Sequence, residues 1–192
     1  MKSSFTPKRL AFLGMMTALV FASNYLRIVM PVPVGGVPSF TLANIFCVLS
    51  GLLLGPVGGL AAGLGSALYD LTNPLWASEA WITFLTKGTM GLMAGTAVVL
   101  GRRGELSDAG YPRYLTAAVI GCVSYYVLYF LKGYYYNGIL LGGLSAGAAL
   151  LTLPALIPPS LFNGGVAIAI APPLASAIQT GLKKSGLSLQ KN

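Results

Sequence analysis

Residues 40–71 read "FTLANIFCVLSGLLLGPVGGLAAGLGSALYDL". Two apolar runs, 40–54 and 57–71, meet at Gly55-Pro56, a dipeptide that turns a chain and does not continue a helix. Each run reads as a short membrane span, and the first charge appears only at Asp70. Gly59, Gly63 and Ala67 recur at four-residue steps, so one face of the second run is nearly free of side chains and suits close helix packing in lipid. Asp70 follows Ala67 by three and lies near that face, which directs it into the protein rather than toward acyl chains.

The rest of the chain extends this pattern. Of its 192 residues 55% are hydrophobic and 8% charged, whereas a soluble domain carries about a quarter charged residues. The fold class is therefore an all-α integral membrane protein. Further apolar runs at 10–30, 84–100, 115–131 and 161–182 complete a six-transmembrane-helix bundle forming a single domain. The first run contains "VFAS", which resembles a signal-peptide cleavage site, but the run continues beyond it and more spans follow, so it reads as a retained helix. Residues 132–160, interrupted by Pro154, Pro158 and Pro159, are open to three readings: a partly helical cap, a re-entrant loop or a seventh span. With six spans, Lys2, Lys8 and Arg9, then Arg102, Arg103 and Arg113, then Lys183, Lys184 and Lys191 all share one side. The positive-inside rule makes that side cytoplasmic and puts both termini there.

Several kinds of chemistry are excluded. The net charge of +8 sits in short flanks between apolar runs, which argues for membrane orientation and against nucleic acid. There is no histidine, so neither a histidine metal site nor histidine-assisted nucleophilic catalysis is available, and no metal or cofactor is expected. Cys47 and Cys122 are isolated in apolar runs and read as small buried residues. No second membrane aspartate accompanies Asp70, as a two-carboxylate protease would need, and no Gly-x-x-x-x-Gly-Lys-Ser/Thr loop is present to hold ATP. The chain does not read as an enzyme, and uphill transport by it would need an ion gradient or another subunit.

Half of the four acidic residues fall between Tyr69 and Gly91, as Asp70 and Glu79, and Lys87 joins them. Lys87 precedes Gly91 by four and Gly95 by eight, so it too lies on a packed face. A charge at the centre of a span costs on the order of 3 kcal/mol, so Asp70 and Lys87 pair naturally. That pair either locks the third and fourth helices together or contacts a ligand directly. Glu79 reads as a solvated loop acid, while Arg27 and Lys132 read as side chains that snorkel to the outer interface. Trp76, Trp81, Tyr125, Tyr126, Tyr129 and Tyr134–Tyr136 cluster at the same level with Asn73, Asn137 and Asn163. Some of these rings form an interfacial belt, yet the one-sided concentration of rings and amides is also what a pocket for a small polar ring compound requires.

The order of these features resembles the substrate-binding S component of energy-coupling factor (ECF) vitamin transporters. The likeness rests on "LGMMTALVFASNYLRI", "PVPVGG", "GLLLGPVGGLAAGLGSALYDL", "TKGTMGLMAG" and "PPSLFNGGVAIAIAPPLASAIQTGLKK", which together cover nearly the whole chain. The resemblance implies a six-helix protein of a prokaryotic plasma membrane that holds a vitamin or vitamin precursor near the extracellular side. It implies as partners a transmembrane coupling protein and two cytoplasmic ATPases. A family Ala-x-x-x-Ala pattern that meets the coupling protein corresponds here to Ala18 and Ala22, with Gly14 one step earlier. The implied pocket lining is residues 34–40, among them Phe40, together with Lys87, Tyr125, Tyr129, Asn137 and Asn163. Riboflavin, thiamin precursors, folate, pantothenate and pyridoxine-like rings all remain open as ligands. A stand-alone ion-coupled transporter, with Asp70 as coupling carboxylate, and a non-transporting membrane scaffold are the rival readings.

Overall fold

The computed structural model describes residues 7–30, 38–100 and 110–185. Helix α1 (Pro7–Ser23) leads into a two-stranded antiparallel hairpin, β1 (Arg27–Val29) and β2 (Ser39–Thr41), in which Ile28 lies opposite Phe40. Then come α2 (Ala43–Leu54), a 3-10 turn (Gly55–Val57), α3 (Gly58–Thr72), a second 3-10 turn (Ala77–Glu79), α4 (Ala80–Leu100) and α5 (Tyr111–Leu131). Helix α5 runs on as a π-helix (Lys132–Leu141), followed by α6 (Ala146–Thr152), a 3-10 turn (Leu153–Leu156) and α7 (Ile157–Lys184).

The stretch 43–72 is helical throughout and long enough to be one span, but it folds back on itself. Gly55 adopts φ 69°, a left-handed conformation open to glycine. Ser50 Oγ donates to the carbonyls of both Cys47 and Gly58, at 2.8 Å each, and Cys47 Sγ lies 3.7 Å from Ser66 Oγ. Nineteen residues along a straight helix would separate Cys47 and Ser66 by about 28 Å, so α2 and α3 are antiparallel.

Helix α4 lies on both. A Cβ on Gly51 would strike the Gly91 carbonyl, one on Gly59 would come within 2.7 Å of the Gly88 carbonyl, and one on Gly95 would collide with Gly55. The small-residue faces legible in the sequence are thus backbone-to-backbone contacts. Every residue of α2 except Phe46 is buried. Helix α1 packs on α3 where Gly65 meets Val20, α5 packs on α4 where Gly121 meets Ala94, and α7 covers α2 and α5.

At the end of the bundle away from the α2–α3 turn, the first helix departs from the sequence reading and residues 132–160 decide among the open alternatives. The first helix stops at Ser23 instead of running to Met30, because Ser23 Oγ and Asn24 Nδ2 both donate to the Val20 carbonyl (2.8 Å) and the chain then pairs as β1. Residues 132–160 form a helical hairpin. At seven residues α6 is about 10 Å long, too short to cross a bilayer. The chain reverses near Gly143 (φ 60°), which brings Gly138 against Ala149 and Gly133 against Leu156.

The ends of the bundle differ in charge. Arg9 Nη2 donates to the Leu54 carbonyl at 3.1 Å, so the start of α1 lies beside the α2–α3 turn, at the end that also holds Arg113, Lys183 and Lys184. Lys2, Arg102, Arg103 and Lys191 lie outside the described residues. Arg27, Asp70, Glu79, Lys87 and Lys132 occupy the other end or the helical turns just below it.

Gly95→Ala is expected to lower stability by about 1–3 kcal/mol through overpacking against Gly55. Gly165→Ala, with no atom within 4 Å of the added methyl, is expected to be neutral or slightly stabilising. Thermal unfolding in detergent micelles gives the order.

Candidate functional site

Where α3 ends, α4 begins and α5 passes into the π-helix, the helices diverge around a cavity of about 60 Å³. That is room for a few water molecules. Its walls are polar to an extent unusual for so apolar a chain, and each charged group has a different partner from the one its sequence position implies.

Arg27 faces inward. Strand β1 carries it over the end of α3, where its guanidinium carbon sits 4.4 Å from the Trp76 ring centre and 4.8 Å from that of Tyr69. Its Nη2 donates to Asn24 Oδ1 at 2.5 Å, and its Nη1 is 3.8 Å from Asp70 Oδ1. The snorkelling expected of it is therefore replaced by stacking on two aromatic faces, worth about 0.5–2 kcal/mol per contact. Asp70 faces Arg27 in consequence, and no Asp70–Lys87 ion pair forms among the described residues.

The physical reason is the position of Lys87, two turns into α4. Its side chain runs between α2 and α5, where Nζ donates to Asn44 Oδ1 and lies 4.3 Å from the centre of the Tyr125 ring. Glu79, expected to be solvated, is instead 8% exposed and accepts from Lys132 Nζ at 2.5 Å. Burial brings these two together because the 3-10 turn before α4 lies against the end of α5. Tyr136 reinforces the junction, its hydroxyl donating to the Ser78 carbonyl at 3.1 Å and its ring meeting Trp81 edge-on at 5.9 Å.

Of the residues expected to line a pocket, Lys87, Tyr125, Tyr129, Asn137 and Asn163 converge on this cavity. Tyr125 and Tyr129 stack at 5.4 Å with an interplanar angle of 22°. Together with Gly133 and Asn137 they form a stripe at four-residue steps. In an α-helix each such step overshoots a full turn by about 40°, which would carry Asn137 away from Tyr125. The wider i→i+5 turn that begins at Lys132 rotates the chain back, so all four face the cavity.

Asn163 has a structural task. Its Oδ1 accepts from the Thr41 amide at 2.7 Å and its Nδ2 donates to the Ser39 carbonyl at 2.8 Å, so the side chain adds itself to β2 as a strand neighbour would. Strand alternation then points Ser39 and Thr41 into the cavity and Phe40 away from it, onto Phe162 at 5.2 Å. Phe40 is thus not a lining residue, and residues 34–37 lie outside the described residues. Asn73 is not in the cavity either, since its Oδ1 accepts from the Leu75 amide at 3.1 Å just after α3.

Sequence reading missed Asn44, Thr83, Thr86 and Ser160. Asn44 was detectable in principle, as the lone amide within an apolar span and a group that needs a partner there. Five buried polar atoms at or beside the cavity have no hydrogen-bond partner: Arg27 Nε, Asp70 Oδ1, Asn44 Nδ2, Asn137 Oδ1 and Ser160 Oγ. Buried polar atoms are nearly always paired, so this cluster has hydrogen-bonding capacity that water or another polar molecule in the cavity can take up. No group of three His, Cys, Asp or Glu that could hold a metal occurs among the described residues. Gly14, Ala18 and Ala22 form an exposed stripe on α1, and nothing lies within 4 Å of a Cβ added to Gly14.

A helical bundle of this apolarity, with a polar, aromatic-walled cavity near one end, is a membrane-integral small-molecule-binding protein. The chain belongs to the family of the S component of the ECF-type riboflavin transporter, which it matches over residues 4–180. S components are the substrate-binding subunits of ECF vitamin transporters and work with a module of coupling protein and ATPases. In fold the chain is similar to a solved S component of a bacterial ECF transporter, with TM-score 0.65, 19% identity, and coverage of 92% of this chain and 98% of that one. It is also similar to an S component for biotin, with TM-score 0.60, 16% identity, and coverage of 88% and 94% respectively. No curated protein matches the sequence significantly.

Replacing Asn163 by Ala is expected to free β2. Loss of a hydrogen bond worth about 1 kcal/mol corresponds to roughly fivefold faster exchange of the Thr41 amide, measurable by hydrogen–deuterium exchange, while amides of the α2–α4 core keep their protection.

Proposed function

We propose that this protein is the substrate-capture subunit of an ATP-driven importer in a prokaryotic plasma membrane, and that it takes riboflavin or a closely related flavin. In this reading α1, α2, α3, α4, α5 and α7 are the six membrane spans, the basic end carries both termini in the cytoplasm, and the cavity opens outward. Arg9, Arg113, Lys183 and Lys184 at one end and the cavity at the other support that orientation.

The observation that carries the reading is the cavity itself, in which a buried lysine held over a tyrosine stack is surrounded by unpaired polar atoms. A heteroaromatic ring fits against Tyr125 and Tyr129, Lys87 has donors for a ring carbonyl, and Asn137 Oδ1 can accept from a ring N–H. Asn163 positions β2. A flavin is far larger than 60 Å³, so binding requires the cavity to widen, and the β1–β2 hairpin and the 132–160 hairpin are the lids that move. The outward stripe Gly14/Ala18/Ala22 is a docking face for the coupling protein, which with two ATPases supplies the driving energy.

Titration of detergent-purified protein with riboflavin, read by quenching of flavin fluorescence, tests the ligand. Tight binding supports the assignment; no flavin binding with a different metabolite carried through purification would replace the ligand. Uptake by the lone chain on a proton gradient would make it a secondary transporter, and the absence of any ligand would make it a scaffold. Gly14→Leu or Ala18→Leu is expected to abolish uptake in cells while leaving ligand affinity unchanged, and loss of both together would mean that this face packs internally.

A further inference from the structure

We infer that Asp70 determines specificity at this site: its Oδ1 accepts a hydrogen bond from a hydroxyl on the ligand's side arm. The inference rests on the reading of the cavity as a flavin pocket.

The Asp70 side chain is 3% exposed, lines the cavity, and its Oδ1 has no hydrogen-bond partner. None of the cations around it donates a hydrogen bond to this oxygen. Arg27 stands at 3.8 Å, beyond hydrogen-bond reach, with Nη2 on Asn24 and its plane on Trp76 and Tyr69. Lys87 is on Asn44 and Tyr125, and Lys132 is on Glu79. The Thr83 side chain hydrogen-bonds the carboxylate, but a carboxylate has about four acceptor sites, so Oδ1 keeps capacity for another donor. The positive groups balance the charge of Asp70 without satisfying this oxygen, and an unsatisfied charged oxygen in a buried site is costly.

The kind of donor follows from the two walls. Tyr125, Tyr129 and Leu156 form an apolar, aromatic side. Asp70, Thr83, Thr86 and Lys87, from α3 and α4, form a side on which acceptors, donors and rotatable hydroxyls are mixed. A flat ring belongs against the first. A polyhydroxylated arm, whose every hydroxyl both donates and accepts, matches the second. A ligand with the ring alone keeps its stacking but leaves Asp70 Oδ1 unpaired, and sites built to bond a hydroxyl discriminate strongly against analogues that lack it.

Riboflavin and lumiflavin share the ring, and lumiflavin has a methyl group in place of the hydroxylated chain, so the pair isolates the arm. Both are titrated into detergent-purified wild type, Asp70→Ala and Asp70→Asn. Asp70→Ala is expected to weaken riboflavin about ten- to a hundredfold, the loss of a hydrogen bond to a charged group, while lumiflavin binds as to wild type and so reports that the fold is intact. Asp70→Asn, whose amide oxygen still accepts, falls between, and carries the same comparison should Asp70→Ala not fold. Equal weakening of both flavins would assign Asp70 to holding Arg27 and overturn the inference, as would unchanged riboflavin affinity or equal wild-type affinity for both flavins. Wild type that binds neither flavin would overturn the flavin reading itself, and this inference with it.

Discussion

A methyl group on Gly95 would collide with Gly55, and one on Gly51 would strike the Gly91 carbonyl. These close approaches lock α4 onto the α2–α3 hairpin, and everything else is arranged around them. In lipid there is no hydrophobic drive between helices, so backbones that touch supply dispersion contacts that side chains of ordinary size would prevent. The hairpin turn at Gly55 is what makes α2 and α3 antiparallel neighbours with α4 across both. Once that unit is set, the end of α3 and the start of α4 are side by side, and Asp70, Glu79 and Lys87 come together at one end.

The charges at that end are partnered in a way that leaves capacity unused. Arg27 is held by two aromatic faces and an amide and stands 3.8 Å from Asp70, Lys87 is held by an amide and an aromatic face, and Glu79 and Lys132 form the closer of the two ion pairs among the described residues. Cations held on aromatic faces keep their charge while using few of their donors. A cavity bounded in this way has cations beside each carboxylate and unpaired hydrogen-bonding atoms at once, the combination a site needs in order to orient a polar molecule.

The hairpin β1–β2 and the π-helix show how small backbone features set the site. Asn163 replaces a missing strand neighbour, which fixes the alternation that turns Ser39 and Thr41 inward. The change from α to π at Lys132 keeps Asn137 in line with Tyr125. Apolar runs do not announce either feature, because hydropathy reports burial in lipid and carries no hydrogen-bond register.

What the sequence determined alone is the class: too few charges for water, glycine steps that demand helix contact, basic flanks and scarce inward-facing charges at one level of the bundle. Those properties follow from composition and from the 3.6-residue period, which are local. The family resemblance named Lys87, Tyr125, Tyr129, Asn137 and Asn163, and these five line the cavity. Only the tertiary structure decided which groups meet. Asp70 faces Arg27 rather than Lys87, Lys87 reaches Asn44, Glu79 is buried on Lys132, and Phe40 points away. Pairing of buried charges depends on a few ångströms of helix rotation and strand alternation between segments distant in the chain, and no local pattern in the sequence encodes those distances.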